Sequence, residues 1–118
     1  MLNLITTITI ILSILTIITA TTPITPITNQ NIKSAVKEWI NKPFDAISKY
    51  GNITNWNVSV VTDMSSLFSN SRRFNMNISK WDTSSVTNMR SMFDSAHEFN
   101  QSIGSWNTSK VAPTKSRF

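Results

Sequence analysis

The chain has no cysteine, one histidine and two glycines, and its first 32 residues carry no Lys, Arg, Asp or Glu. Without cysteine there are no disulfide staples, thiolate zinc sites, thiol nucleophiles or lipid-modified N-terminal cysteine. One histidine leaves little for an imidazole metal site, and Gly51 and Gly104 alone cannot form a phosphate-cradling glycine loop. Charge is also sparse, at 14% against 40% hydrophobic residues in 118 positions, which suits one domain and excludes most two-domain enzymes. The 11 basic and 6 acidic side chains leave a net charge of +5, all of it at or beyond Lys33.

What is present falls into two segments of different physics. Residues 1–20 comprise 13 apolar residues, 5 threonines, Asn3 and Ser13, with no charge to oppose leaving water. The apolar run 4–18 followed by Thr19 and Ala20 reads as a secretory signal with a small-residue cleavage site, its only positive charge the α-amino group. As a helix the segment would reach ~30 Å, a bilayer core's thickness, so a membrane anchor formed by residues 4–20 is the alternative. A third reading is a β-prone Ile/Thr tract with no targeting role. Pro23 and Pro26 make residues 21–30 an expected linker.

Beyond residue 52 the chain repeats. Trp56, Trp81 and Trp106 are 25 residues apart, and aligning 56–80 with 81–105 gives ten identities. They include the apolar pairs Val61/Val86, Met64/Met89, Phe68/Phe93, Phe74/Phe99 and Ile78/Ile103. A partial third unit, 106–118, keeps Thr108, Ser109 and Val111 in phase before Pro113 breaks the pattern. A unit this short cannot enclose a core, so its apolar positions are expected to stack on their equivalents in the next unit, as in a solenoid. Residues 99–106 could form a strand. Met89, Met92, Phe93 and Ala96 have the i, i+3, i+4, i+7 spacing of helical turns, with Asn88 or Asp63 as caps. Asn57, Asp82 and Asn107 each precede a serine by two residues, which suits Asx turns, and Asn75 and Asn100 could form an inward amide ladder. In the expected capping region, 31–51, Ile32, Ala35, Val36, Trp39 and Ile40 share one helical stripe, Pro43 ends that helix, and Gly51 closes a further turn.

The strings at 56–68 and 81–93, the latter reading W-D-x-S-x-V-T-x-M-x-x-M-F, resemble the BspA-like leucine-rich-repeat surface proteins. The variant is the one often seen in mycoplasma surface lipoproteins and in surface proteins of unicellular algae. The lead-in at 36–40 and 50–56 is similar as well, so the resemblance covers about residues 33–112. It implies an extracellular or surface module for adhesion or protein interaction, with no catalytic residues to transfer. The expected fold is therefore α/β: a short right-handed leucine-rich-repeat-like solenoid with an N-terminal capping helix, preceded by the apolar signal or anchor.

Other constellations are weak. His97 and Asp94 lie near serines, but no nucleophile-elbow pattern is present, and His97 aligns with Arg72, which marks a solvated position. Asp63, Asp82, Asp94 and Glu98 lack calcium-loop spacing. No enzyme activity, cofactor or metal is expected. Arg72, Arg73, Lys80, Arg90, Lys110, Lys115 and Arg117 give a basic surface that serves solubility or faces an acidic glycan or anionic lipid. Nucleic acid is not expected, because secretion removes the partner and the aromatics lie at rung phase. Five Asn-x-Ser/Thr sites occur, of which Asn57 and Asn107 are the first glycan candidates, then Asn52 and Asn77, with Asn100 disfavoured by the ladder. The functional expectation is a secreted or surface-displayed, non-enzymatic module binding an extracellular protein or acidic glycan. The alternative is a membrane-anchored structural piece, or a fragment of a larger array without activity of its own.

Overall fold

A computed structural model describes residues 22–113; the expected signal or anchor at 1–20 lies outside them. Two helices and a short 3₁₀ turn precede the repeats. Helix α1, Ile32–Asn41, buries Ile32, Ala35, Val36 and Trp39, while Ile40, expected on the same stripe, is 41% exposed. Helix α2, Pro43–Tyr50, starts on Pro43, whose missing N–H belongs to a position with no helical partner, and buries Ala46 and Tyr50. Gly51 ends it in the left-handed region at φ 75° while its N–H closes on the Ile47 carbonyl. The 3₁₀ turn Ile53–Asn55 follows, with Asn52 Oδ1 accepting the Thr54 amide.

The repeats then stack. The indoles of Trp56, Trp81 and Trp106 form one column, with centroids 6.2 and 6.5 Å apart and planes within 11°. Phe68 lies on Phe93 at 5.4 Å and Phe74 on Phe99 at 5.8 Å. Trp81 Nε1 donates to the Ile53 carbonyl and Trp106 Nε1 to that of Ile78, so each indole both covers and hydrogen-bonds the preceding coil. Trp56, Val61, Met64, Phe68, Phe74, Ile78, Trp81, Val86, Met89 and Trp106 are buried, and Phe93, Phe99 and Ile103 are partly buried against them.

The α/β leucine-rich-repeat solenoid expected from the sequence is not what forms: among the described residues there is no strand and no sheet, and the coils are built from turns. The run 99–106 is not a strand, and residues 90–95 are turns rather than helix. The hydrogen bonding gives the reason. The amides of Met64, Ser66, Phe68 and Asn70 donate across to the carbonyls of Asn88, Arg90, Met92 and Asp94. The amides of Leu67, Ser69 and Ser71 donate three residues back within the coil, and that of Ser65 donates to Asp63 Oδ1. Ser66 and Asn70 take φ of 56° and 61°, and Ser91 and Ser95 repeat this at 53° and 59°. A left-handed residue at these positions breaks an α-helix and prevents an extended strand. Among the described residues one isolated parallel bridge, Asp63 to Asn88, forms, and the cross-coil bonds beyond it do not build a strand.

The N-terminal side of the stack is closed by a side chain. Within the array, the amides of Thr87 and Asn88 both reach the Thr62 carbonyl, at 2.8 and 3.3 Å. The equivalent amides of Thr62 and Asp63 have no preceding coil and reach Asn29 Oδ1 instead, at 2.9 and 3.4 Å. Asn29 thus supplies the missing carbonyl, and its Nδ2 also donates to Thr62 Oγ1. The stretch read as a linker therefore lies along the helices and first coil: Ile27 is buried and the Thr25 amide donates to the Lys49 carbonyl. Trp39 covers the outer face of Trp56 edge-on at 6.1 Å. Lys33 of α1 adds an ion pair with Asp63 at 3.2 Å and a hydrogen bond to Ser65 Oγ.

Asp63 also accepts the Ser65 amide. Partial burial pushes its carboxyl up, but the Ser65 amide and hydroxyl and the Lys33 ammonium outweigh this and hold it below the usual 3.8. A folded value below the unfolded one gives stability that is present above pH 3.8 and lost as pH falls through the lower folded value.

Three outcomes follow for chemical unfolding. Trp81→Ala costs ~3 to 5 kcal/mol, whereas Lys80→Ala stays within about 0.5 kcal/mol; equal costs would contradict the column. Asn29→Ala costs about 1 kcal/mol by leaving the Thr62 amide without its acceptor, and no loss would show that the contact does not hold the first coil. Asp63→Asn keeps the turn, since Asn88 occupies the same phase, and flattens the acid limb of stability against pH; an unchanged limb would contradict the ionic role of Asp63.

Candidate functional site

The four Asn-x-Ser/Thr positions favoured as glycan acceptors are all exposed, and all have a structural use. Asn57 and Asn107 accept the amides of Ser59 and Ser109 at 3.1 and 3.0 Å, Asn77 that of Ser79 at 3.1 Å, and Asn52 that of Thr54 at 3.0 Å. The spacing that reads as a glycosylation signal is also the spacing of an Asx turn, which engages Oδ1 and leaves the amide nitrogen outward. Asp82 makes the same turn with Ser84; the Ser84 hydroxyl first, then its amide, holds the exposed Asp82 carboxyl below the usual range.

The inward Asn75–Asn100 ladder is not formed. Both residues are exposed, and Asn75 Oδ1 accepts the Asn100 backbone amide at 3.0 Å and Gln101 Nε2 at 2.9 Å. His97 and Asp94 are exposed and not hydrogen-bonded to one another; Asp94 Oδ1 accepts from the Ser95 hydroxyl at 3.5 Å. Among the described residues no three His, Asp or Glu side chains lie close enough to share a cation.

A concave strip lies between α1 and residues 65–76 of the first coil, and a separate hollow of about 490 Å³ lies by residues 24–28 and 50–60. Two hollows of about 420 and 480 Å³ share Ile40 and Ser71 and so form one trough. Four cations line it, Lys33 and Lys37 from α1 and Arg72 and Arg73 from the coil, with no acidic side chain in either hollow. The ammonium of Lys33 is matched by Asp63, and the nearby Glu38 is taken by Lys49 at 3.3 Å. Lys37, Arg72 and Arg73 therefore have no ion pair among the described residues.

Between residues 64 and 72 the trough floor offers no free backbone donor. Every backbone amide from residue 64 to residue 72 is already bonded, either across to the next coil, back within its own turn, or, for Ser65, to Asp63 Oδ1. The aromatic walls are nearly sealed, Trp39 at 8% and Phe74 at 7% exposure. The sequence identified Arg72 and Arg73 as basic, and the 25-residue phase gave no sign that they face α1. Buried positions that pattern reading missed include Val58 and its equivalent Thr83, whose hydroxyl donates to the Asn107 carbonyl at 3.1 Å. Both lie two residues after a repeated Trp, and that shared phase was the available signal.

No curated protein and no solved structure matches the chain. A family model described as "Mycoplasma protein of unknown function, DUF285" matches residues 28–118, from the segment holding Asn29 through the whole repeat array. The chain belongs to this Mycoplasma-type repeat family, DUF285.

Proposed function

We propose that the protein is a secreted or surface-displayed, non-enzymatic repeat module that binds an extracellular protein or glycan. The observation that carries this reading is the trough: three cations without counter-ions among the described residues, held beside a coil whose amides from residue 64 to residue 72 are all bonded. A surface of one charge sign raises the local concentration of an oppositely charged partner and speeds its encounter. The likeness of the strings at 56–68 and 81–93 to BspA-like surface repeats supports display outside the cell, as does the charge-free apolar run at 1–20. Among the described residues no helix is long and apolar enough to cross a membrane.

The test is binding of the full chain to a panel of immobilised extracellular-matrix proteins and glycans. Saturable binding to at least one of them, with Kd on the order of micromolar, is the expected outcome. A flat response across the panel would contradict an interaction module and favour a purely structural piece.

A further inference from the structure

We propose that the trough between α1 and the first coil is a binding site for an acidic oligosaccharide carrying carboxylate or sulfate groups. This rests on the interaction-module reading and gives it a site and a ligand class. Charge is the first argument. Lys37, Arg72 and Arg73 line the trough and no acidic side chain lines it with them. Asp63 beside α1 and Glu38 on it are matched by Lys33 and Lys49, and the carboxylate next to the arginines along the stack is Glu98, whose amide donates to the Arg72 carbonyl. The planar guanidinium of Arg presents paired donors that fit a carboxylate or sulfate.

The bonded amides and closed apolar walls of the trough favour a saccharide over a peptide. A peptide added as a strand needs free backbone donors and acceptors along an edge, and the amides of residues 64–72 are all occupied. A peptide anchored by a large side chain needs an open apolar socket, and Trp39, Leu67 and Phe74 are 7 to 8% exposed. What remains on the floor are the exposed Ser66 and Asn70 and the half-buried Ser69, whose hydroxyl accepts from Asn70 Nδ2, short polar groups that suit a ligand covered in hydroxyls. Ile40, 41% exposed where the two hollows meet, offers an apolar contact for a sugar ring face. Helix α1 is about 15 Å long, which suits several linked sugars rather than one.

The test measures binding of the full chain to a sulfated hexasaccharide, a carboxylated hexasaccharide, a neutral hexasaccharide and a hexaglutamate peptide. Two double variants each remove two positive charges, Arg72→Gln with Arg73→Gln inside the trough and Lys80→Gln with Lys110→Gln outside it, with folding checked by near-ultraviolet circular dichroism. The expected result is binding of at least one acidic hexasaccharide in preference to the neutral one. The trough variant should weaken it by about tenfold or more and the outside variant by less than about threefold. Equal losses in the two variants would overturn the site in favour of a general basic field. Hexaglutamate binding as tightly, with the same sensitivity, would overturn the saccharide and assign the trough to an acidic peptide. If no hexasaccharide binds while other partners on the wider panel do, the trough proposal fails and the interaction module stands.

Discussion

A turn-built coil of 25 residues leaves alternate amides of the run 64–70 and a face of its stacked Trp and Phe rings without a partner of its own, and an adjacent coil in the same register supplies both. The indole column and the bonds from Met64, Ser66, Phe68 and Asn70 to the next coil are two expressions of that constraint. Rings within 4° to 11° of parallel require the two coils to superpose, and superposed coils put carbonyls opposite amides. Packing and hydrogen bonding therefore select the same register. A shift by one residue would lose both at once, which is why the repeat length is held so closely between Trp56, Trp81 and Trp106.

The same constraint explains the N-terminal side. The first coil has amides that expect a neighbour, and Asn29, Trp39 and Lys33 supply an acceptor, a ring edge and a charge from three places in the lead-in. Trp56 adjusts too: its Nε1 donates to Gly51, where the later indoles reach one coil back. Helix α1 is brought against the first coil by this capping, and the trough is a by-product of where a helix and a turn-built coil fail to fit flush. Stability of the cap and shape of the candidate site are thus set by the same contacts.

The period, the buried aromatics and the Asx turns were legible because each depends on residue identity at a fixed spacing. Trp, Phe and Ile recur in phase, and Asn or Asp recurs two residues before Ser. The local backbone was not legible. Met89, Met92 and Phe93 show helical spacing because successive turns closed by bonds three residues back also return side chains to one face every three or four residues. The left-handed residues that distinguish the two are Ser66, Asn70, Ser91 and Ser95, rather than the glycines that would announce them. Asn29 was hidden for another reason: it lies among prolines and threonines that read as a spacer, and its role exists only when Thr62 is 33 positions away in sequence and adjacent in space. The trough is tertiary in the same sense, since Arg72 and Arg73 meet α1 only after the chain has turned back.

The account stands on cross-coil pairing, and through-hydrogen-bond scalar couplings in an NMR spectrum of the labelled chain measure that pairing bond by bond. The structure requires couplings from the amide nitrogens of Met64, Ser66, Phe68 and Asn70 to the carbonyl carbons of Asn88, Arg90, Met92 and Asp94. Couplings from the amides of residues 90–96 to carbonyls four residues earlier, as in a helix, with none between coils, would contradict it.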